Sequence, residues 1–339
     1  IACWHGLAEP ECLPERKQIA ETLARIGHAH SDYRALSWSA VMRVAGAMEL
    51  GDLATVDAAI ASLDTLAKRA RDPLARWHAL TFRAMRCTLS AQLTEAVRWA
   101  ETAYQVGLPL GPGGARHVYC TQLATVRRLQ GRLAEAEQLV REVSLSHPSI
   151  AGWQAVLAGL EAEQGQTEQP RKVLERLVER DLSALRSDPF ALSGIAATAD
   201  LCLLVGDATH ARPLYEALRP HEERHGSVSI GIGSHGPLSR HLGRLALQLH
   251  EVKLAERHFE RALAAAEAMS SPLFTSFSLL GYAHMLLVTR PRAAERAGAL
   301  LGRAAELGRK HELHGVTRFA QALEALARGG ASIAATHKR

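Results

Sequence analysis

Apolar residues return along this chain at intervals of four and then three positions, the spacing that lines side chains along one face of an α-helix. Seven such triplets follow one another. They are Val56, Ile60 and Leu63; Ala96, Ala100 and Ala103; Ala136, Val140 and Val143; and Pro170, Leu174 and Leu177. Ala211, Tyr215 and Leu218, then Ala255, Phe259 and Ala262, then Ala297, Leu301 and Ala304 complete the series. A short turn signal stands ahead of each, at Gly51-Asp52, Ala91-Gln92, Gly131-Arg132, Gly165-Gln166, Gly206-Asp207, His250-Glu251 and near Arg290-Pro291. Successive signals lie 40, 40, 34, 41, 44 and 40 residues apart. That period belongs to helix-turn-helix repeats with lengthened helices. One triplet means little, but seven in register predict an array.

The helix ahead of each turn is periodic as well, as in Trp38, Val41, Met42, Ala45 and Met48. Glycines inside these first helices (Gly46, Gly159, Gly243 and Gly281) cost about 1 kcal/mol each in helix propensity, which predicts close approach of a neighbour. Pro170 and Pro213 fall near the starts of second helices, where free N–H groups make proline tolerable. If the fifth pair's second helix begins as early as Asp207, Pro213 should kink it. The predicted fold is all-α, a tetratricopeptide-like helical-repeat solenoid of about seven helix pairs in a right-handed superhelix with a long concave face. A single domain over 1–328 would hold pairs near 32–71, 73–106, 113–145, 148–180, 188–221, 235–269 and 272–310. A partial helix over 14–27 would open it, a helix over 314–327 would close it, and 329–339 would form a disordered tail.

Composition agrees with this picture. Apolar residues make up 47% of the chain, too many for a disordered one, and aromatics only 5%, a balance that favours closely packed helices over strands. The net charge of +5 hints at nucleic acid, but basic groups such as Arg127-Arg128 and Lys68-Arg69 are scattered among acids. A mixed solvated surface follows, and direct nucleic-acid contact is not expected. Five cysteines (Cys3, Cys12, Cys87, Cys120 and Cys202) with no C-x-x-C pair predict reduced, mostly buried thiols. No apolar run is read as approaching the roughly 18–20 residues of a membrane span, and no signal peptide is visible, so the expected location is cytoplasmic, without membrane contact. The chain begins at Ile1, and Ile1–Gly6 reads as the tail of a helix, as in a piece of a longer protein.

Ala255, Phe259, Ala262 and Leu263 match the second-helix core of the tetratricopeptide repeat. Longer stretches, Gly51–Met85, Leu129–Val140, Leu214–Pro220 and Leu238–Leu263, resemble the C-terminal repeat region of bacterial multidomain signalling ATPases of the STAND-like kind, those linked to class III cyclase or transcriptional-regulator domains. The resemblance implies repeats that sense or bind partners while an ATPase core, lying outside this chain, binds ATP and switches. No G-x-x-x-x-G-K-[ST] phosphate loop occurs in the sequence.

Two segments invite a chemical reading. In His221-Glu222-Glu223-Arg224-His225, histidines at i and i+4 would share a helix face and could ligate zinc, with a glutamate as general base. Pro220 before it and Gly226 after it make it read instead as the last turn of a repeat helix. Gly231-Ile232-Gly233-Ser234-His235-Gly236 formally matches G-x-G-x-x-G, but that fingerprint needs a preceding parallel strand in a βαβ unit. The expectation is a flexible inter-helix loop over Gly226–Gly236, the main irregularity of the array. Trp38, Trp77, Trp99 and Trp153 fall on helix stripes and are expected in the core, one or two of them lining the groove. His28, His30, His311 and His314 lack a matched acid or cysteine cluster. No catalytic residue, metal or cofactor is assigned, with His221 and His225 the candidates if a metal were held. The expected function is a non-catalytic interaction or regulatory module. Its partner would be a protein or peptide in the concave groove, the protein's own upstream ATPase domain, or a small-molecule effector. A zinc-dependent hydrolase centred on the histidine pair and a helical-repeat nucleic-acid binder are the alternatives.

Overall fold

The computed structural model describes residues 10–186, 190–206, 208–290 and 293–327. Cys3, Ile1–Gly6 and the tail 329–339 lie outside them, as do Asp207 and Pro291. The fold is all-α apart from one short hairpin. Helix α1 (Leu13–His30) leads into α2 (Tyr33–Leu50) and α3 (Leu53–Ala70). Next come α4 (Pro73–Leu89) with α5 (Leu93–Gly107), and α6 (Pro112–Leu129) with α7 (Leu133–Ser146). The fourth pair is α8 (Ala151–Glu163) with α9 (Glu168–Arg186). In the fifth, α10 (Ala191–Val205) meets a short α11 (Ala211–Leu218). After the hairpin follow α12 (Leu238–Gln248) with α13 (Val252–Ala268), α14 (Pro272–Thr289) with α15 (Ala294–Lys310), and the closing α16 (His314–Ala327).

Local chemistry explains the ends. Asp32 accepts from the backbone N–H groups of Arg34 and Ala35, Asp52 from that of Thr55, and Asp72 from that of Leu74, each satisfying donors a helix start leaves free. Pro73, Pro112 and Pro272 occupy first-turn positions, where proline loses no hydrogen bond. Gly51 ends α2 in the left-handed conformation, φ 71°, and its N–H returns to the Ala47 carbonyl, the helix stop that glycine makes cheap.

All positions of the seven apolar triplets are buried. Phe259 shows how tightly the pairs meet. It is fully buried, and Cβ atoms added at Gly243 and Gly281 would lie 3.1 and 2.6 Å from its ring. Those two glycines, on α12 and α14, clear space for the phenylalanine of α13 between them. Pro213 needs no kink, because α11 begins only at Ala211 and the proline sits in its first turn. The four tryptophans expected in the core are half-buried instead. Trp99, for example, carries the guanidinium groups of Arg83 and Arg98 on its ring. Of the described cysteines, Cys120 and Cys202 are buried and Cys12 and Cys87 only partly so.

The array curls far enough to meet itself. Helix α4 contacts α14, and α6 contacts α16. The Ser271 hydroxyl, at the start of α14, donates to the Leu89 carbonyl at the end of α4 at 2.7 Å. One apolar core therefore joins residues between Ala40 and Leu129, and Ile232, to residues between Ala266 and Leu323. This contact also accounts for α14, which corrects the expectation that no segment reaches membrane-span length. Its 18 residues are long and apolar enough to cross a bilayer, with 61% of them buried inside the protein. It packs on α4, α13, α15 and α16, which accounts for most of its apolar surface.

Phe259→Ala should lower the unfolding free energy by about 3–5 kcal/mol, the usual range for a large core aromatic, measured by denaturant titration. A loss below about 1 kcal/mol would show that the neighbouring helices relax into the space.

Candidate functional site

The segment expected to be a flexible loop is a packed antiparallel hairpin. Strand β1 (His225–Val228) pairs with β2 (Gly233–Pro237), with Ser227 opposite Ser234, Val228 opposite Gly233 and a bulge between His225 and Ser227. No residue from Arg224 to Pro237 is exposed. The hairpin is inserted inside the curl. Gly231 at its tip lies against Val44 and Met48 of α2, and Gly236, φ 82°, against the Phe274 ring of α14. Ile232 is 2% exposed. Its carbonyl accepts from the Gln122 side chain at 3.0 Å, and the same amide nitrogen donates to the Thr81 carbonyl at 2.8 Å. One buried amide on α6 thus ties α4 to the hairpin. Gly231 and Gly236 of the G-x-G-x-x-G match serve this tight packing, in a hairpin rather than in a βαβ turn.

The histidine pair is corrected in the same place. Helix α11 stops at Leu218, and Arg219–His221 continue only as a 3-10 turn, because Pro220 supplies no N–H for an α-helical bond. His221 therefore closes that turn, with Nε2 3.4 Å from Glu11 Oε1. His225 opens β1, 3% exposed, beside Gly51. The two do not lie on one helix face. Among the described residues, no three His, Cys, Asp or Glu side chains are grouped to hold a metal ion.

What the curl encloses is a channel of about 1590 Å³. Its walls are mainly the inner faces of the first helices of the third to seventh pairs (α6, α8, α10, α12 and α14), with α16 and the hairpin. Much of the lining is apolar, including Trp153, Val156, Leu204, Phe277, Leu280 and Phe319. Trp153 is the one tryptophan of the expected four that lines it. His117 and His147 also meet beside this wall, their Nδ1 atoms 3.2 Å apart.

A charged cluster interrupts the apolar wall. Arg128 of α6 donates from Nε to Glu163 of α8 at 3.0 Å. Asp200 of α10 faces three groups of α12: Arg244 Nη1 at 2.8 Å, His241 Nδ1 at 3.3 Å and Arg240 Nη2 at 3.5 Å. Burial raises the Asp200 carboxyl, but His241, Arg240 and Arg244 outweigh it and hold the group well below its usual range. His241 is fully buried, and burial pushes its pKa down. Arg240 Nη2 lies 2.9 Å from His241 Nε2. The same Nε2 lies 3.3 Å from the His235 carbonyl, so the ring stands between one donor, Arg240, and two acceptors, that carbonyl and Asp200. Burial lowers Arg240 as well, and its side chain lies over the Phe277 ring at 5.7 Å. His235, carried in by the hairpin, is pushed down to about 3 by burial and by His241.

Sequence reading assigned none of these residues. One signal was present: Asp200 is the only charge in the otherwise apolar Ala191–Val205, and a lone acid on such a helix needs a buried partner. Arg240 and Arg244, four apart on one face, could not be matched to it without the fold.

No known protein family's sequence model matches the chain, and no curated protein matches it. Among solved structures, it is similar to a Rap protein complexed with Competence and Sporulation Factor. The TM-score is 0.51 at 12% identity, with 98% of this chain and 97% of that chain covered. A circular tandem repeat protein with novel repeat topology aligns over 96% of this chain and 90% of that one, at 15% identity. Its TM-score of 0.22 is too low to carry weight. The first likeness shows the fold: the chain is a tetratricopeptide-like helical-repeat protein.

Two outcomes follow. Replacing Gln122 by Leu leaves the Ile232 carbonyl without its donor, which should cost about 1–3 kcal/mol and speed amide exchange in Ser227 and Ser234. Unchanged exchange there would show that the tie does not hold the hairpin. Stability should also fall with acid. Burial pushes His78 and His225 down to about 4, so below the ordinary 6.5 the unfolded chain binds protons that the folded one does not, and stability drops from about pH 6.5 towards pH 4. Each group contributes up to about 1.4 kcal/mol per pH unit. In His78→Phe the slope of unfolding free energy against pH should flatten by about that amount. An unchanged slope would show that His78 takes up its proton in the folded state.

Proposed function

We propose that this chain is a non-catalytic regulatory module that takes an extended peptide segment of a partner protein into its central channel. The channel itself carries the reading. At about 1590 Å³ it exceeds the roughly 300–1,000 Å³ of small-molecule sites. Its walls alternate apolar surface with fixed polar groups, as a site for an extended chain requires. The Rap protein of the same fold is complexed with Competence and Sporulation Factor, which supports a bound partner on this architecture. Resemblance to the repeat regions of bacterial signalling ATPases supplies the wider role, in which occupancy of the channel biases an attached switching domain. Cytoplasmic location and a single repeat domain belong to the same proposal, and no metal or cofactor enters it.

The test is a selection of random heptapeptides on the purified chain, followed by binding to two variants. Gly315 lines the channel, and a Cβ there meets nothing within 4 Å, so Gly315→Trp fills part of the space without displacing a neighbour. Gly298 is exposed on α15 and equally open, so Gly298→Trp is the control. Selected peptides should lose at least about tenfold in affinity to Gly315→Trp and little to Gly298→Trp. Equal binding to both variants would place the working surface elsewhere.

A further inference from the structure

The charges in the channel do not balance. Among the lining residues stand four arginines (Arg128, Arg240, Arg244 and Arg318) and two acids, Glu163 and Asp200. We infer that the channel recognises a carboxylate on the peptide it takes in, held by the guanidinium groups of Arg318, Arg244 and Arg240. The inference rests on the channel as the peptide-binding surface.

Three observations point to an absent anion. Arg240 is 7% exposed, and its Nε has no hydrogen-bond partner. A buried guanidinium N–H left unmade costs more than an exposed one. Asp200, which faces Arg240, is shared with Arg244 and His241. One carboxylate therefore serves two guanidinium groups whose fork geometry is suited to a bidentate carboxylate each. Arg318, an exposed residue of the lining, has no hydrogen bond or ion pair among the described residues. Its Nη2 lies 3.1 Å from where a Cβ on Gly131 would stand, and the Gly131 N–H bonds to the Arg128 carbonyl. Its guanidinium therefore rests on the turn that ends α6, one turn beyond Arg128.

The electrostatics agree. Burial lowers Arg240 despite the nearby acid, with Arg244 and Arg128 adding to the effect, so the cluster is short of negative charge. An incoming carboxylate would make charge-assisted bonds in a partly dehydrated wall, where they are stronger than in water. Phe277 beneath Arg240 and Phe319 beside Arg318 offer apolar surface to the flanking residues of the same peptide.

A C-terminal carboxylate and an Asp or Glu side chain present the same chemistry, and the experiment separates them. The probes are fluorescein-labelled hexapeptide pools of Leu, Phe, Val and Ala carrying one Glu, one Gln or one Lys, each with a free or an amidated C-terminus. Fluorescence polarisation is read on the wild-type chain, Gly315→Trp, Arg318→Gln and Arg244→Gln, with melting temperatures confirming that the variants fold. Carboxylate-bearing pools should bind about tenfold tighter than fully neutral ones. The preference should shrink to less than about threefold in Arg318→Gln and weaken with added salt. If amidation alone abolishes it, the group is the C-terminus, and if Glu-to-Gln exchange alone abolishes it, the group is a side chain. Equal binding of all pools, or tighter binding of the Lys pool, with sensitivity to Gly315→Trp retained, would overturn the inference and leave the peptide channel standing. If neither the pools nor the selected heptapeptides respond to Gly315→Trp, the channel reading fails, and the inference fails with it.

Discussion

A single buried side-chain amide stands where the halves of the molecule meet. Gln122 is 5% exposed, and its two N–H groups reach a carbonyl of α4 and a carbonyl at the tip of the hairpin. An ordinary helical array has no such point, because each pair touches only its neighbours. Here the curl brings α14 onto α4 and α16 onto α6, and the hairpin fills what would otherwise be an empty interior. The channel exists because that filling is partial. Its walls come from the helices the hairpin does not cover.

Closure changes the energetics of every charge inside. On an open concave face, Asp200 and Arg240 would be solvated and their pairing would be worth little. In the curled form Arg240 is 7% exposed and His241 fully buried, so compensation matters and a missing partner is costly. His241 sits between the two, its Nδ1 3.3 Å from Asp200 and its Nε2 2.9 Å from Arg240.

The repeats could be read in the sequence because their information is local. The triplets around Val56, Val140 and Phe259 depend on helix period alone, and Gly243 and Gly281 announced a close neighbour by their cost. The hairpin could not be read so. Strand β1 is only four residues long, and the hairpin is held by distant groups, Gln122 at Ile232, Val44 at Gly231 and Phe274 at Gly236. The glycines near it suggested looseness, whereas the fold uses them for contact. His221–His225 is not α-helical, because Pro220 ends the α-helical bonding and the chain then turns into β1. The charged channel was hidden for a different reason: Arg128, Asp200 and Arg240 sit on three helices far apart in sequence, and even Asp200, a lone acid on an apolar helix, does not name its partners.

Closure and binding are also coupled by position. Arg128 lies on α6 and Arg318 on α16, the two helices that meet where the curl closes, while Arg240 and Arg244 lie on α12. A segment held by groups from all three bridges the seam from inside. By mass action, whatever binds the closed form and not the open one stabilises closure, and closure in turn assembles the site, since the two affinities are reciprocal. In an open solenoid, occupancy would change the stability of a few adjacent pairs. In this curled one it acts on the contact between the third pair and the last helix, and so on the relative placement of the array's distant parts. Under the proposed function, this would be the means by which a partner inside the channel acts on a switching domain outside it.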